Sequence, residues 1–146
     1  MFLLDTNVVS DSTKQVSHPA VSNWLASQPR ASLFVSVVSL AEVSYGIERL
    51  PPGRKADELR LWRASLVADF AERLLPVDGE VALVHGRLRR AGDTARRTIP
   101  VMDAFLAATA EVHGLTIVTR NVRDFEAWGG PVFNPWPDGA GGQGHR

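Results

Sequence analysis

The stretch Val101-Met102-Asp103-Ala104-Phe105-Leu106-Ala107-Ala108-Thr109-Ala110-Glu111-Val112-His113-Gly114-Leu115-Thr116-Ile117-Val118-Thr119-Arg120-Asn121 passes from one backbone period to another. Its first part is expected to be a helix over Val101 to His113, closed by Gly114, the residue that takes a left-handed cap at no steric cost. Asp103 falls near the start of that helix, where the dipole favours an acid, and His113 at its end, where the dipole favours a cation. Leu115 to Val118 then has the apolar, β-branched look of a short buried strand. Thr119-Arg120-Asn121-Val122-Arg123-Asp124 follows it directly as a polar segment.

The same alternation extends in both directions. Residues 2–4, residues 33–38 and Leu74-Leu75-Pro76-Val77 read as further buried strands. Amphipathic stretches separate them: Pro19 to Ser27, Ser39 to Leu50 (stopped by Pro51-Pro52-Gly53), Lys55 to Arg73 and Glu80 to Arg90. Leu59, Trp62, Leu66 and Phe70 recur at spacings of three and four, which makes them a packing stripe; Trp24 and Tyr45 are likewise assigned to the core. Gly92 to Ile99 is polar and Arg-rich and reads as a loop. Residues 1–136 are expected to form one domain, and the Gly-rich segment Pro137 to Arg146 a disordered tail. Strands alternating with helices imply an α/β fold, with a mostly parallel sheet covered on both faces.

Composition removes several classes of chemistry. With no cysteine, disulfide scaffolds, zinc–thiolate sites and thiol nucleophiles are excluded. The opening Met1-Phe2-Leu3-Leu4 has no basic region or cleavage site of a signal peptide, and the apolar run from Leu33 to Val43 is too short to span a bilayer. The expected location is therefore cytoplasmic, with no membrane partner. A formal net charge of zero does not favour nucleic-acid binding. Distribution offsets this in part, because Arg87, Arg89, Arg90, Arg96 and Arg97 crowd a short segment and can form a basic lip.

In open α/β sheets, ligands bind outside the carboxyl ends of the strands. The polar groups expected there are Asp5-Thr6-Asn7 after the first strand, Glu42 in the first turn of the helix after the second, Asp103, and Thr119 to Asp124 after the fourth. Each has an ordinary structural role open to it. Ser39 and Glu42 have the S-x-x-E form of a capping box, Asp103 could serve the helix dipole, and Asp5 and Asp124 could be turn residues. A shared placement of four acids at one sheet edge is better explained by metal-assisted phosphodiester hydrolysis. Mg²⁺ takes oxygen ligands and retains waters, so two to four carboxylates suffice, and no His or Cys is needed.

The motifs in order resemble those of the PIN-domain ribonucleases, and in particular the VapC-type and FitB-type toxins of bacterial toxin–antitoxin pairs. They are Asp5-Thr6-Asn7, Ser39-Leu40-Ala41-Glu42-Val43 with Tyr45-Gly46, Asp103 to Ala110, Leu115 to Phe125, and Val132-Phe133-Asn134-Pro135-Trp136. The resemblance implies a three-layer α/β/α fold, Mg²⁺-dependent endoribonuclease activity (Mn²⁺ substituting), a homodimer and a small cognate antitoxin. Matched motif by motif, Asp5, Glu42 and Asp103 take the acidic positions. The fourth falls on Asn121 or Asp124, with Asp124 favoured. Thr6, Asn7, Ser39, Thr119 and Asn121 are expected in support, and Arg87, Arg89, Arg90, Arg96, Arg97 and Arg120 as contacts to RNA, whether tRNA, rRNA or mRNA. Alternatives are an RNA-processing nuclease that is not a toxin and a non-catalytic RNA- or protein-binding module. A phosphoryl-transfer domain with Asp5 as nucleophile is disfavoured, because Asn7 stands where a second Asp is needed and no Lys follows Lys55.

Overall fold

The computed structural model describes residues 1–14 and 16–137, so all of the Gly-rich tail except Pro137 lies outside the described residues. Among the described residues, five short parallel strands form the centre: β1 (Phe2–Leu4), β2 (Leu33–Ser36), β3 (Leu74–Leu75), β4 (Thr116–Val118) and β5 (Val132–Phe133). Their order is β3-β2-β1-β4-β5. Helices α1 (Thr6–Asp11), α2 (Pro19–Ser27), α3 (Val37–Glu48), α4 (Arg54–Phe70), α5 (Gly79–Thr94) and α6 (Val101–His113) flank the sheet. The expected three-layer α/β/α arrangement is observed.

Register explains how so few strand residues hold two cores. Leu3 pairs with Phe34 and Ile117, while Leu4 pairs with Val35 and Val118. Successive side chains alternate across a strand, so the two sets face opposite ways. Leu3 and Ile117 join Val81 and Leu88 of α5 and Leu106 and Ala107 of α6 in one cluster. Leu4, Val35 and Val118 join Val8 and Val9 of α1, Val21 of α2, and Val43 and Ile47 of α3 in the other. Burying an aliphatic side chain of this size contributes about 1.5–3 kcal/mol, so neither face can be left bare. The stripe Leu59, Trp62, Leu66 and Phe70 packs on the second cluster as expected, and Trp24 sits between Phe2 and Phe133 at centroid distances of 4.9 and 5.2 Å.

Several boundaries differ from expectation. The helix Thr6–Asp11 was not foreseen; Asp5 caps it and Val8 and Val9 are buried beneath it. Helix α3 starts at Val37, capped by the Ser36 hydroxyl, which accepts from the Val38 N–H at 3.0 Å. The Ser39–Glu42 capping box is therefore not formed, and Glu42 lies in the second turn. Tyr45 is 66% exposed and does not belong to the core. Helix α5 runs on to Thr94, through the start of the expected loop. Gly114 takes φ 66°, the left-handed cap expected of it. Among the described residues, no helix is long and apolar enough to cross a membrane.

Candidate metal centre

The strand order decides where the chain can bind a ligand. From β1 the chain moves to β2 and then β3 on one side, and it returns to β4 on the other side of β1. The direction of winding thus reverses between β1 and β4, and a crevice opens at their carboxyl ends. Asp5 leaves the end of β1 and Thr119 the end of β4, and their backbones are tied by the Asp5 N–H donating to the Val118 carbonyl at 2.9 Å.

Asp5 is buried, with 7% of its surface exposed, and each carboxylate oxygen is engaged. Oδ1 accepts from the Thr6 N–H at 2.7 Å, and Oδ2 accepts from the Thr119 hydroxyl at 2.7 Å. Asn7 braces the pair. Its Nδ2 donates to Asp5 Oδ2 at 3.4 Å and to Thr119 Oγ1 at 3.3 Å, while its Oδ1 accepts from the Arg120 N–H at 3.3 Å. The Asn121 N–H donates to the Thr119 hydroxyl at 3.0 Å, so Asn121 enters the network through its backbone. Burial pushes the Asp5 carboxyl above its ordinary value, the Thr119 and Thr6 donors pull it back, and the nearby Asp124 charge pushes it up again.

Asp103 sits in the first turn of α6, partly buried. Its carboxyl is raised from 3.8 to about 7, first by burial and then by the charges of Asp5, Asp124 and Glu42. Residues far apart in sequence therefore act on one carboxyl group. Glu42 is partly buried on α3, and Asp124 is exposed in a 3-10 turn, Val122–Phe125, that follows β4. Two further polar atoms are enclosed with no hydrogen-bond partner among the described residues: Thr6 Oγ1, next to Asp5, and Ser39 Oγ, one turn before Glu42.

These features fit a hydrated divalent cation. Among the described residues, no three His, Asp or Glu side chains are gathered tightly enough to enclose an ion by themselves. A hard cation that keeps its water shell does not require such a cage, because one or two direct carboxylates suffice and the others can bond its waters. A cation would also remove the repulsion that burdens Asp103, and orphaned hydroxyls beside the acids are suited to holding water.

The arginines divide. Arg87 pairs with Glu111, beside the turn that leads into β4, at the end of the strand opposite to Thr119. Arg89 is partly buried on α5, whereas Arg90 and Arg96 are exposed near its carboxyl end, Arg96 at φ 54°. Arg97 pairs with Glu126 at 3.8 Å and lines a cleft with Asp124. Arg120 lies over the Trp136 ring at 5.4 Å. Arg123 lines the same cleft as Arg97; it was not singled out from the sequence, where its only signal is its place beside Asp124.

Comparison with known proteins agrees with this architecture. The PIN domain model matches residues 2–129. The chain is 37% identical to toxin FitB of Neisseria gonorrhoeae over 140 residues, 94% of this chain and 100% of that protein. It is 33% identical to the VapC ribonuclease Y4jK of Sinorhizobium fredii, over 93% of this chain and 98% of that protein. The solved structure of FitAcB from Neisseria gonorrhoeae superposes with a TM-score of 0.89 at 36% identity, covering 94% of this chain and 99% of that one. A PIN domain match over residues 2–129, with relatives more than 30% identical over more than nine-tenths of the chain, places this protein in the PIN domain family.

Proposed function

We propose that the chain is a metal-dependent endoribonuclease acting as the toxin of a toxin–antitoxin pair. The observation that carries the reading is the buried Asp5 carboxylate, held by the Thr6 N–H and the Thr119 hydroxyl where the sheet reverses between β1 and β4. The raised Asp103 carboxyl, pushed up by burial and by the charges of Asp5, Asp124 and Glu42, agrees with it. Asp5, Glu42, Asp103 and Asp124 are the groups that would hold Mg²⁺, with Mn²⁺ able to substitute. Thr6, Asn7, Ser39, Thr119 and Asn121 support them. When bound, the ion supplies Lewis-acid activation of a water and neutralises charge on the scissile phosphate.

The chain's own residues do the rest. Asp5 is held by donors on both oxygens, so it cannot swing away from the crevice. Asp103 has no such restraint among the described residues and is suited to orienting the attacking water. In-line attack then leaves a 5′-phosphate and a 3′-hydroxyl. The likeness to a named toxin over nearly the whole chain supports a toxin role and a small neutralising antitoxin, and a homodimer is part of the same reading. The RNA cut belongs to the tRNA, rRNA or mRNA class.

The test is cleavage of structured RNA with and without Mg²⁺ by wild type, Asp5→Asn and Asp103→Asn, alongside calorimetric titration with Mn²⁺. Loss of cleavage of at least about 100-fold is expected for both variants, with weakened Mn²⁺ binding and an unchanged circular-dichroism spectrum. Two variants that cut as well as wild type would remove the assignment.

A further inference from the structure

A cleft of about 350 Å³ is lined by Arg97, Thr98, Pro100, Arg123, Asp124 and Glu126, so it includes one of the four acids proposed above. We propose that this cleft, resting on the nuclease reading above, binds the RNA backbone phosphate next to the scissile one through Arg97 and Arg123. Asp124 belongs both to the cleft wall and to the group of acids acting on Asp103. On the nuclease reading, whatever fills the cleft therefore lies against one of the acids proposed to hold the metal. Its volume is at the small end of ligand-binding clefts, which suits one nucleotide of a single strand rather than a duplex.

Both arms of the cleft are held in place before any ligand arrives. On one side the Arg97 N–H donates to the Gly92 carbonyl at 2.8 Å, and a Cβ on Gly92 would lie 2.8 Å from the Arg97 carbonyl oxygen. Glycine at 92 is thus what allows the segment carrying Arg97 to fold back on the end of α5. On the other side the 3-10 turn bearing Arg123 is pinned by Phe125, 1% exposed, and by the Asp124 N–H donating to the Asn121 carbonyl at 3.1 Å. Preorganised arms reduce the ordering cost of binding a flexible strand.

Charge explains why the cleft would respond to a phosphate. Arg123 makes no side-chain hydrogen bond or ion pair among the described residues. Arg97 meets Glu126 at 3.8 Å with side-chain exposures of 66% and 56%. An exposed pair of that length is worth little, so a phosphate can displace Glu126 from Arg97 with small loss. An arginine fork bonds phosphate better than it bonds a distant carboxylate. Asp124 and Glu126 oppose an anion in the free chain, so the cleft is expected to take phosphate more readily once the Asp124 charge is engaged at the cluster.

The test uses the full chain and a short single-stranded RNA. Steady-state cleavage is measured for wild type, Arg97→Ala, Arg123→Ala, Glu126→Gln and Arg54→Ala. The last removes an exposed arginine on α4, paired among the described residues only with Glu58. Binding is followed by fluorescence anisotropy in an Asp103→Asn background, so that the strand survives. Arg97→Ala and Arg123→Ala are expected to raise KM and weaken binding roughly fivefold each, with kcat little changed, and to lower the salt slope by about 0.7 per arginine. Glu126→Gln is expected to tighten binding about twofold. Mn²⁺ affinity should be unchanged in all three. If Arg97→Ala and Arg123→Ala behave like Arg54→Ala while wild type still cuts RNA, the phosphate site is overturned and the nuclease reading stands. A wild-type chain that neither binds nor cuts RNA overturns the nuclease reading, and the cleft assignment with it.

Discussion

The Thr119 hydroxyl donates to Asp5 Oδ2 at 2.7 Å, joining the ends of β1 and β4 where the sheet reverses its winding. The same oxygen accepts from the Asn121 N–H and from Asn7 Nδ2, so its single proton is committed to Asp5. Asp5 is thereby fixed as an acceptor that faces the crevice in one orientation. A buried carboxylate held this way is preorganised for a cation, and the holding group matters nearly as much as the acid itself.

Thr119→Val keeps the shape of the side chain and removes its donor. It is expected to lower RNA cleavage about 10- to 100-fold. Stability should fall by about 1–3 kcal/mol, because Asp5 loses a buried charge-assisted hydrogen bond and the Asn121 N–H loses its acceptor. Thr119→Ser should retain most activity. Urea denaturation and cleavage assays on both variants test this, and a valine variant with wild-type activity would show that Asp5 needs no such restraint.

Asp103 gives a pH dependence whose sign can be worked out. In the folded, metal-free chain its carboxyl holds a proton up to about pH 7, whereas unfolded it loses the proton near 3.8. Between those values the folded state binds more protons, so unfolding free energy falls as pH rises and levels off beyond about 7. Asp5, also raised, adds in the same direction. Metal-free Asp103→Asn is therefore expected to be more stable than wild type at pH 8, by ~1–2 kcal/mol after allowing for solvent screening, and about equal to it near pH 4. Mn²⁺ affinity of the wild type should rise from pH 6 to pH 8. A thermal-melt series in EDTA across that range is the measurement, and an unchanged difference between pH 4 and pH 8 contradicts it.

How much of this was legible in the sequence depended on whether the cause was local. Helices α2 and α6 carry their own punctuation, Pro19 at one start and Gly114 at one end, and their limits follow from it. Helix α1 has only six residues with two adjacent valines, which favours strand as much as helix. Its cause is Asp5 capping and burial of Val8 and Val9 under α3, neither visible in a period. Ser36 and Ser39 are both plausible caps, and the S-x-x-E pattern pointed to the wrong one because the strand ends earlier than its apolar run. Tyr45 follows the helical period but lands outside the packed face. Asp5 was legible as the residue that follows the first strand and Asp103 as one near the start of a helix, whereas Glu42 lies a turn deeper in its helix than the sequence suggested. That Thr119 reaches Asp5 across 114 positions was not, because only the strand order brings β4 beside β1.

The fourth acid can be settled by a pair of variants. Asp124 acts on both Asp5 and Asp103 through its charge, whereas Asn121 contributes its backbone N–H. Asp124→Asn is thus expected to reduce Mn²⁺ affinity and cleavage by about tenfold or more. Asn121→Ala, which keeps the N–H, should change either by no more than about twofold. Calorimetry on the two variants decides, and the reverse ranking would move the acidic position to the turn's first residue.

The two serines before Glu42 separate folding from chemistry. Ser36 caps α3 with its hydroxyl at 3.0 Å from the Val38 nitrogen, so Ser36→Ala is expected to cost about 1 kcal/mol. Ser39 is fully buried and its hydroxyl has no hydrogen-bond partner among the described residues. Removing an unsatisfied buried hydroxyl leaves nothing unpaired behind, so metal-free Ser39→Ala should be as stable as wild type or slightly more so. If that hydroxyl instead bonds a water of the bound cation, Ser39→Ala loses part of the stabilisation that Mg²⁺ or Mn²⁺ gives to wild type. Melting each variant with and without Mn²⁺ reads both effects. A Ser39→Ala chain destabilised by about 1 kcal/mol in EDTA, with Ser36→Ala unaffected, would restore Ser39 to the capping role and leave Glu42 bound to the helix terminus rather than to the crevice.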